Sequence, residues 1–206
     1  GTRKNLHVSG DIYRLGREFF SMLQLNSDEP HEEALLRLGT RSLNLLHSMR
    51  RISILGYRIA TAVLCTSIIE FVVYIKWLRE NHGHAKDWLD HDGTHTLWPL
   101  TGKDGLCGKL KLDHLEKAYK SFCLAKHAAY KGSGLDSSKG LPNLGYFLTF
   151  EPVVDAEYFN DVLAKATDAT RVSLYDLSDI LGKHCDAEKL RIWREKLDKF
   201  TANFNR

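Results

Sequence analysis

Cysteine is scarce in this 206-residue chain, and the four present, Cys65, Cys107, Cys123 and Cys185, form no CxxC pair. That scarcity excludes a disulfide framework and a zinc-ribbon motif, and two of the four fall inside apolar helical patterns, as reduced core thiols do. Charge of one sign is also lacking: the net charge of +3 is too small to signal nucleic-acid binding unless the cations cluster in space. The opening GTRKNLHVSG contains no apolar run, so no signal peptide is expected and a cytoplasmic setting is the expectation. Internal repeats, low-complexity tracts and the apolar–polar alternation of strands are absent. Hydrophobic and charged contents of 43% and 27% are those of an ordinary globular chain, long enough for one sizeable core.

One stretch is apolar on every side. Ile59 to Leu78, IATAVLCTSIIEFVVYIKWL, has the length of a membrane span. Glu70 and Lys76 interrupt it, and charges inside a bilayer are costly and rare, so it is expected to be the central core helix with no membrane partner.

The remaining helices follow from periodicity and breakers. Ser9 and Asp11 suit caps for a first helix running to about Leu25. Pro30, with Glu29, Glu32 and Glu33 at its positive end, starts a second helix that ends near Arg50-Arg51 or at Gly56. After the central helix, residues 83–110 form a long loop with a short helix at Ala85–Leu89. A fourth helix spans Leu112 to Lys131, and a second loop covers about 132–153. A fifth runs from near Asp155 to Leu181 with Gly182 as its stop, and a last begins around Asp186 with the stripe Leu190, Trp193, Leu197, Phe200 and Phe204. The expected fold is all-α: a single domain over 1–206, an up-and-down-like bundle of five to six helices around 59–78.

The fourth helix carries the best candidate chemistry. At 3.6 residues per turn, Tyr119, Lys120, Cys123 and His127 share one sector of about 100°, with Lys120 and His127 about 10 Å apart along the axis. An imidazole moves protons near neutral pH and a fixed cation stabilises phosphate charge. The plain alternative is a solvated Lys120 and a His127 in an ordinary polar contact.

The long helix ending in Ser67-Ile-Ile-Glu70, with the later Tyr119-Lys120-x-x-Cys123-x-x-x-His127 and its following Gly/Ser turn, resembles the HEPN-like helical bundles. Family members that cleave RNA use an arginine and a histidine with four to six residues between them; here six lie between Lys120 and His127, with Lys120 in the arginine's place. The resemblance implies metal-independent RNA cleavage, no cofactor, and pairing of two copies as a homodimer. Its site would comprise Lys120, His127, Tyr119 and Glu70, with Glu70 buried beside the fourth helix and partnered by Lys120, His127 or Tyr119. Two literal Arg…His matches, Arg41…His47 and Arg79…His84, are no more than the roughly two that chance supplies.

Two other function classes compete. A non-catalytic bundle of the same fold would use a helical face to bind a protein partner or a nucleotide. A metal-dependent phosphohydrolase of the HD type would use the loop His82–His95, which holds four histidines and three aspartates in 14 residues, with the doublet His91-Asp92 and His47 upstream. A solvated polar loop is the simpler reading of that cluster, because no standard ligand spacing is met. Trp77, Trp88, Trp98 and Tyr119 could stack on bases; Trp77 reads as core.

Overall fold

The computed structural model describes residues 2–25, 28–93, 97–126, 137–139, 146–148 and 156–204. The fold is all-α, with long helices α1 (Thr2–Met22), α2 (Pro30–Ile54) and α3 (Arg58–Glu80) followed by the short α4 (Ala85–Leu89) and α5 (Leu106–Lys109). Then come α6 (Asp113–Lys126), α7 (Ala156–Leu181) and α8 (Ala187–Phe204). The one departure from helix among the described residues is a three-residue antiparallel ladder, β1 (Ser137–Lys139) against β2 (Tyr146–Leu148), with Ser138 opposite Phe147. The sequence gives no alternation there, so no strand was expected. The apolar run Leu144–Phe150, expected to fold back onto the core, lies largely outside the described residues.

The centre is α3. It packs against α2, α6 and α7, and Cys65, Ile68, Ile69, Val72, Val73, Ile75 and Leu78 are completely buried in that embrace. By length and composition α3 is apolar enough to cross a membrane; here protein, on several sides, does what lipid would do. Burial pushes the Cys65 thiol up to about 12, as expected of an inert core cysteine. α1 lies across α2, α7 and α8. Two glycines set that spacing: a Cβ on Gly16 would stand 2.5 Å from Leu43, and one on Gly39 would stand 2.7 Å from both Leu177 and Phe20.

Two elements depart from the sequence expectation for identifiable reasons, and α2 takes the second of its two expected ends. α1 starts at Thr2, not at Ser9. Ser9 is fully buried, donates its hydroxyl to the Leu6 carbonyl at 3.0 Å and accepts from Arg50 Nε at 3.1 Å, so it is a mid-helix tie to α2 and not a cap. α2 runs through Arg50-Arg51 and stops at Gly56, whose φ of 82° only glycine adopts easily. α5 was not foreseen, since its four residues, Leu-Cys-Gly-Lys, carry no periodic signal.

The C-terminus of α3 is closed by two histidines. His31 Nε2–H donates to the Leu78 carbonyl at 3.1 Å and His82 Nε2–H donates to that of Arg79 at 2.8 Å, with the rings stacked 3.8 Å apart. The Leu78 carbonyl also accepts from the Asn81 backbone N–H at 3.2 Å, so the histidines add side-chain donors at a helix end where carbonyls lose their helical partners. Burial, then the neighbouring His82, holds the His31 imidazole below its ordinary value, against the opposing pull of the Leu78 carbonyl and Glu32. The unfolded chain therefore takes up a proton near pH 6.5 that the folded chain refuses, and this group's contribution to stability falls as pH drops through that range. Thermal unfolding at pH 7.5 and 5.5 should show a smaller loss on acidification for His31→Gln, which keeps a donor but does not titrate, than for wild type; equal losses would refute the assignment.

Candidate functional site

Two of the residues singled out on the sequence, Glu70 of α3 and Tyr119 of α6, are half-buried on helices that pack together. Tyr119 is half-buried, and its hydroxyl is pushed upward by burial first, then by a hydrogen bond with Cys123 and by the nearby carboxylate of Glu70. Glu70 is half-buried and accepts a hydrogen bond from the Tyr74 hydroxyl at 3.3 Å. Tyr74 also reaches the Trp98 carbonyl at 3.4 Å, and burial followed by Glu70 pushes its hydroxyl up as well. Neither phenol is poised to give up a proton near neutral pH.

Lys120 is engaged elsewhere. Its ammonium lies 2.6 Å from Glu116 one turn earlier. That hydrogen bond is the main reason the Glu116 carboxyl sits below its usual range, aided by the backbone of Gly102. The cation is exposed, and its companion His127 lies outside the described residues. Of the four candidates, the structure brings Glu70 and Tyr119 together across α3 and α6 and turns Lys120 toward its own helix.

Glu70 also faces another way, into a cavity of about 560 Å³ walled by α2, α3, α4 and the segment after α4. That volume is within the range of about 300–1,000 Å³ usual for ligand sites. Helical spacing builds each wall. Arg37 and Arg41 stand one turn apart on α2, and Glu70, Phe71 and Tyr74 occupy one side of α3. Trp88, Leu89 and His91 close the far side, with Asp92 at the rim. The Arg41 guanidinium lies over the Trp88 ring, 5.6 Å from its centroid. Among the described residues Arg41 has no ion pair, whereas Arg37 is held 2.5 Å from Glu33 on the solvent side, where such pairs are weak. The cavity is thus cationic on the α2 wall, anionic at Glu70 and apolar between.

No family model matches the chain, and no curated protein or solved structure matches it.

The histidines and aspartates of 82–95 do not converge. His82 caps α3, His84 Nδ1 is 2.8 Å from Asp87, and His91 stands 3.9 Å from Asp92 beside the cavity; His95 lies outside the described residues. His47 stacks on Tyr13 of α1 at 4.8 Å. Among the described residues no three His, Cys, Asp or Glu side chains are arranged to hold a metal ion. The two chance Arg…His matches also separate: Arg79 is paired with Asp176 and Asp179 of α7, and Arg41 points to the cavity. Sequence reading missed Arg37, Arg41 and Trp88 as a set. The i, i+4 spacing of the arginines was visible, but nothing local sets α4 opposite them.

Proposed function

We propose that this protein is a helical binding module, HEPN-like in its bundle, that takes RNA or a nucleotide by its phosphate in the α2–α3–α4 cavity. The observation that carries the reading is the pair Arg37 and Arg41 on one wall of a half-open cavity whose other walls are aromatic and carboxylate. A guanidinium seated on an aromatic ring keeps its N–H fork available, and that fork matches two phosphate oxygens at once. The resemblance to HEPN-like bundles supports RNA as the source of that phosphate. Binding is placed ahead of cleavage because Lys120, the described cation of the catalytic pair, does not line this cavity.

The test is fluorescence polarisation with labelled single-stranded RNA, in EDTA, on wild type, Arg41→Ala, Lys120→Ala and His127→Ala. Arg41→Ala should weaken binding about tenfold or more, the worth of one charge-assisted bond, and Lys120→Ala should change it little. Unchanged affinity in Arg41→Ala would sink the reading. Metal-independent cleavage lost in His127→Ala would replace it with the ribonuclease.

A further inference from the structure

The turn joining α2 to α3 exposes what a folded chain usually hides. Among the described residues four large apolar side chains are exposed, and three of them, Ile54, Leu55 and Tyr57 at 67%, 58% and 48%, lie on this one turn. α2 ends at Ile54, Gly56 reverses the chain at a φ of 82°, and α3 begins at Arg58. The three side chains therefore crown the tip of a helical hairpin. An apolar cluster kept in water marks a contact surface.

Cations gather around the tip. Arg51 is exposed and makes no ion pair among the described residues. Arg50 is half-buried and donates to the Leu6 carbonyl at 3.2 Å and to Ser9 at 3.1 Å, which brings the start of α1 to this end, with Lys4 exposed. The Tyr158 hydroxyl donates to the Arg58 carbonyl at 3.1 Å, so α7 begins here too, with Glu157 exposed. Asp11, the carboxylate near Arg50, is paired with Arg14. Among the described residues, cations outnumber carboxylates at this end.

Shape and charge separate the occupants such a tip could take. A second copy docked tip to tip would set Arg51 against its own counterpart, because a two-fold contact brings the same patch together. A stable protein partner needs roughly 800 Å² on each side, more than a convex tip of three apolar residues presents. A bilayer surface receives a protruding apolar tip, seats a tyrosine at headgroup level and draws cations to anionic lipid. We propose that the α2–α3 turn is a peripheral membrane anchor. Ile54 and Leu55 enter the lipid interface, Tyr57 lies at its level and Arg51 meets anionic headgroups. α3 stays in the protein core, and from Arg58 the rise along it to Glu70 at the cavity is about 18 Å, which keeps the two sites apart. The anchor does not depend on the phosphate-binding reading.

Flotation of the whole chain with vesicles of phosphatidylcholine alone, and of an equal mixture with phosphatidylserine, tests the anchor. The chain should float with the anionic vesicles and bind the neutral ones more weakly. Arg51→Ala should weaken binding to anionic vesicles about fivefold, the worth of one cation near such a surface, and leave neutral vesicles unaffected. Ile54→Ser combined with Leu55→Ser should weaken binding to both by about tenfold or more. These positions are exposed, so the fold should survive, and circular dichroism checks that it does. Tyr57→Trp gives a local readout: anionic vesicles should shift its emission to the blue beyond any shift of wild type. Failure to float with anionic vesicles, or flotation that survives the double substitution, would overturn the anchor. Self-association in sedimentation, abolished by the same substitution, would then assign the tip to a second copy, and a monomer would leave it to another protein.

Discussion

Replacing Trp193 by alanine is expected to lower the stability of this protein by about 4 kcal/mol, the largest loss from any single substitution considered. The indole of α8 is fully buried, sits 4.9 Å from the ring of Phe19 and donates its Nε1–H to the Leu15 carbonyl of α1 at 2.8 Å. Alanine removes the largest wholly buried side chain among the described residues, leaves a cavity between α1 and α8, and deletes a hydrogen bond to the Leu15 carbonyl, which keeps its partner within α1. For a chain of this size that is roughly a 10 °C fall in Tm, measurable by circular dichroism. Trp193→Phe keeps most of the burial and loses only the hydrogen bond, so it should cost about a third as much. Similar losses for both variants would show that the hydrogen bond, and not the packing, secures α8.

The second large effect lies at Arg79. Asp176 of α7 is 3% exposed, hydrogen-bonded to Arg79, with Lys76 at 3.8 Å, and its Oδ2 has no hydrogen-bond partner. This bond joins the central helix to α7, and it is why Arg79 holds its proton more tightly than a free guanidinium. Removing the guanidinium leaves the buried carboxylate with only the more distant Lys76 at 3.8 Å, and breaking comparable pairs costs about 3 kcal/mol. Arg79→Met keeps the aliphatic stem and deletes the charge, so the loss it produces in urea unfolding reads the electrostatic part. The double substitution Arg79→Met with Asp176→Asn should regain most of it, because the stranded charge is gone. If the double variant is no more stable than the single one, packing at Arg79 is responsible instead.

These two positions show what the sequence made legible. Trp193 stood out because α8 repeats large apolar residues at intervals of three and four, and the structure buries Trp193 and Leu197 from that stripe. The enclosure of α3 was legible for the same reason in stronger form: apolar residues on every side of it leave few ways to place it. The extent of α4 and the stop of α7 before Gly182 also agree with expectation. Ser9 misled because a serine before an apolar run has the same local signature whether it caps a helix or ties two helices together.

The site was less legible because it is made by three elements whose approach no local pattern encodes. Arg37 and Arg41 read like any wet helical face, and Arg37 does pair with Glu33. The salt bridge of Lys120 with Glu116 was foreseeable from its i, i+4 spacing and weakens the choice of Lys120 as a phosphate ligand. Glu70 was singled out for its place on α3; its role at the cavity follows from the helix opposite.

The cavity's walls differ greatly in stiffness. Two of them are long helices locked into the core, which open only when the whole fold does, whereas the third is the five-residue α4, resting on α2 and on the 3₁₀ turn before it. On the proposed binding reading, exchange of a ligand would need only the short wall to lift, while the arginines and Glu70 stay in register on the long helices. Selectivity and turnover would then belong to different parts of the chain.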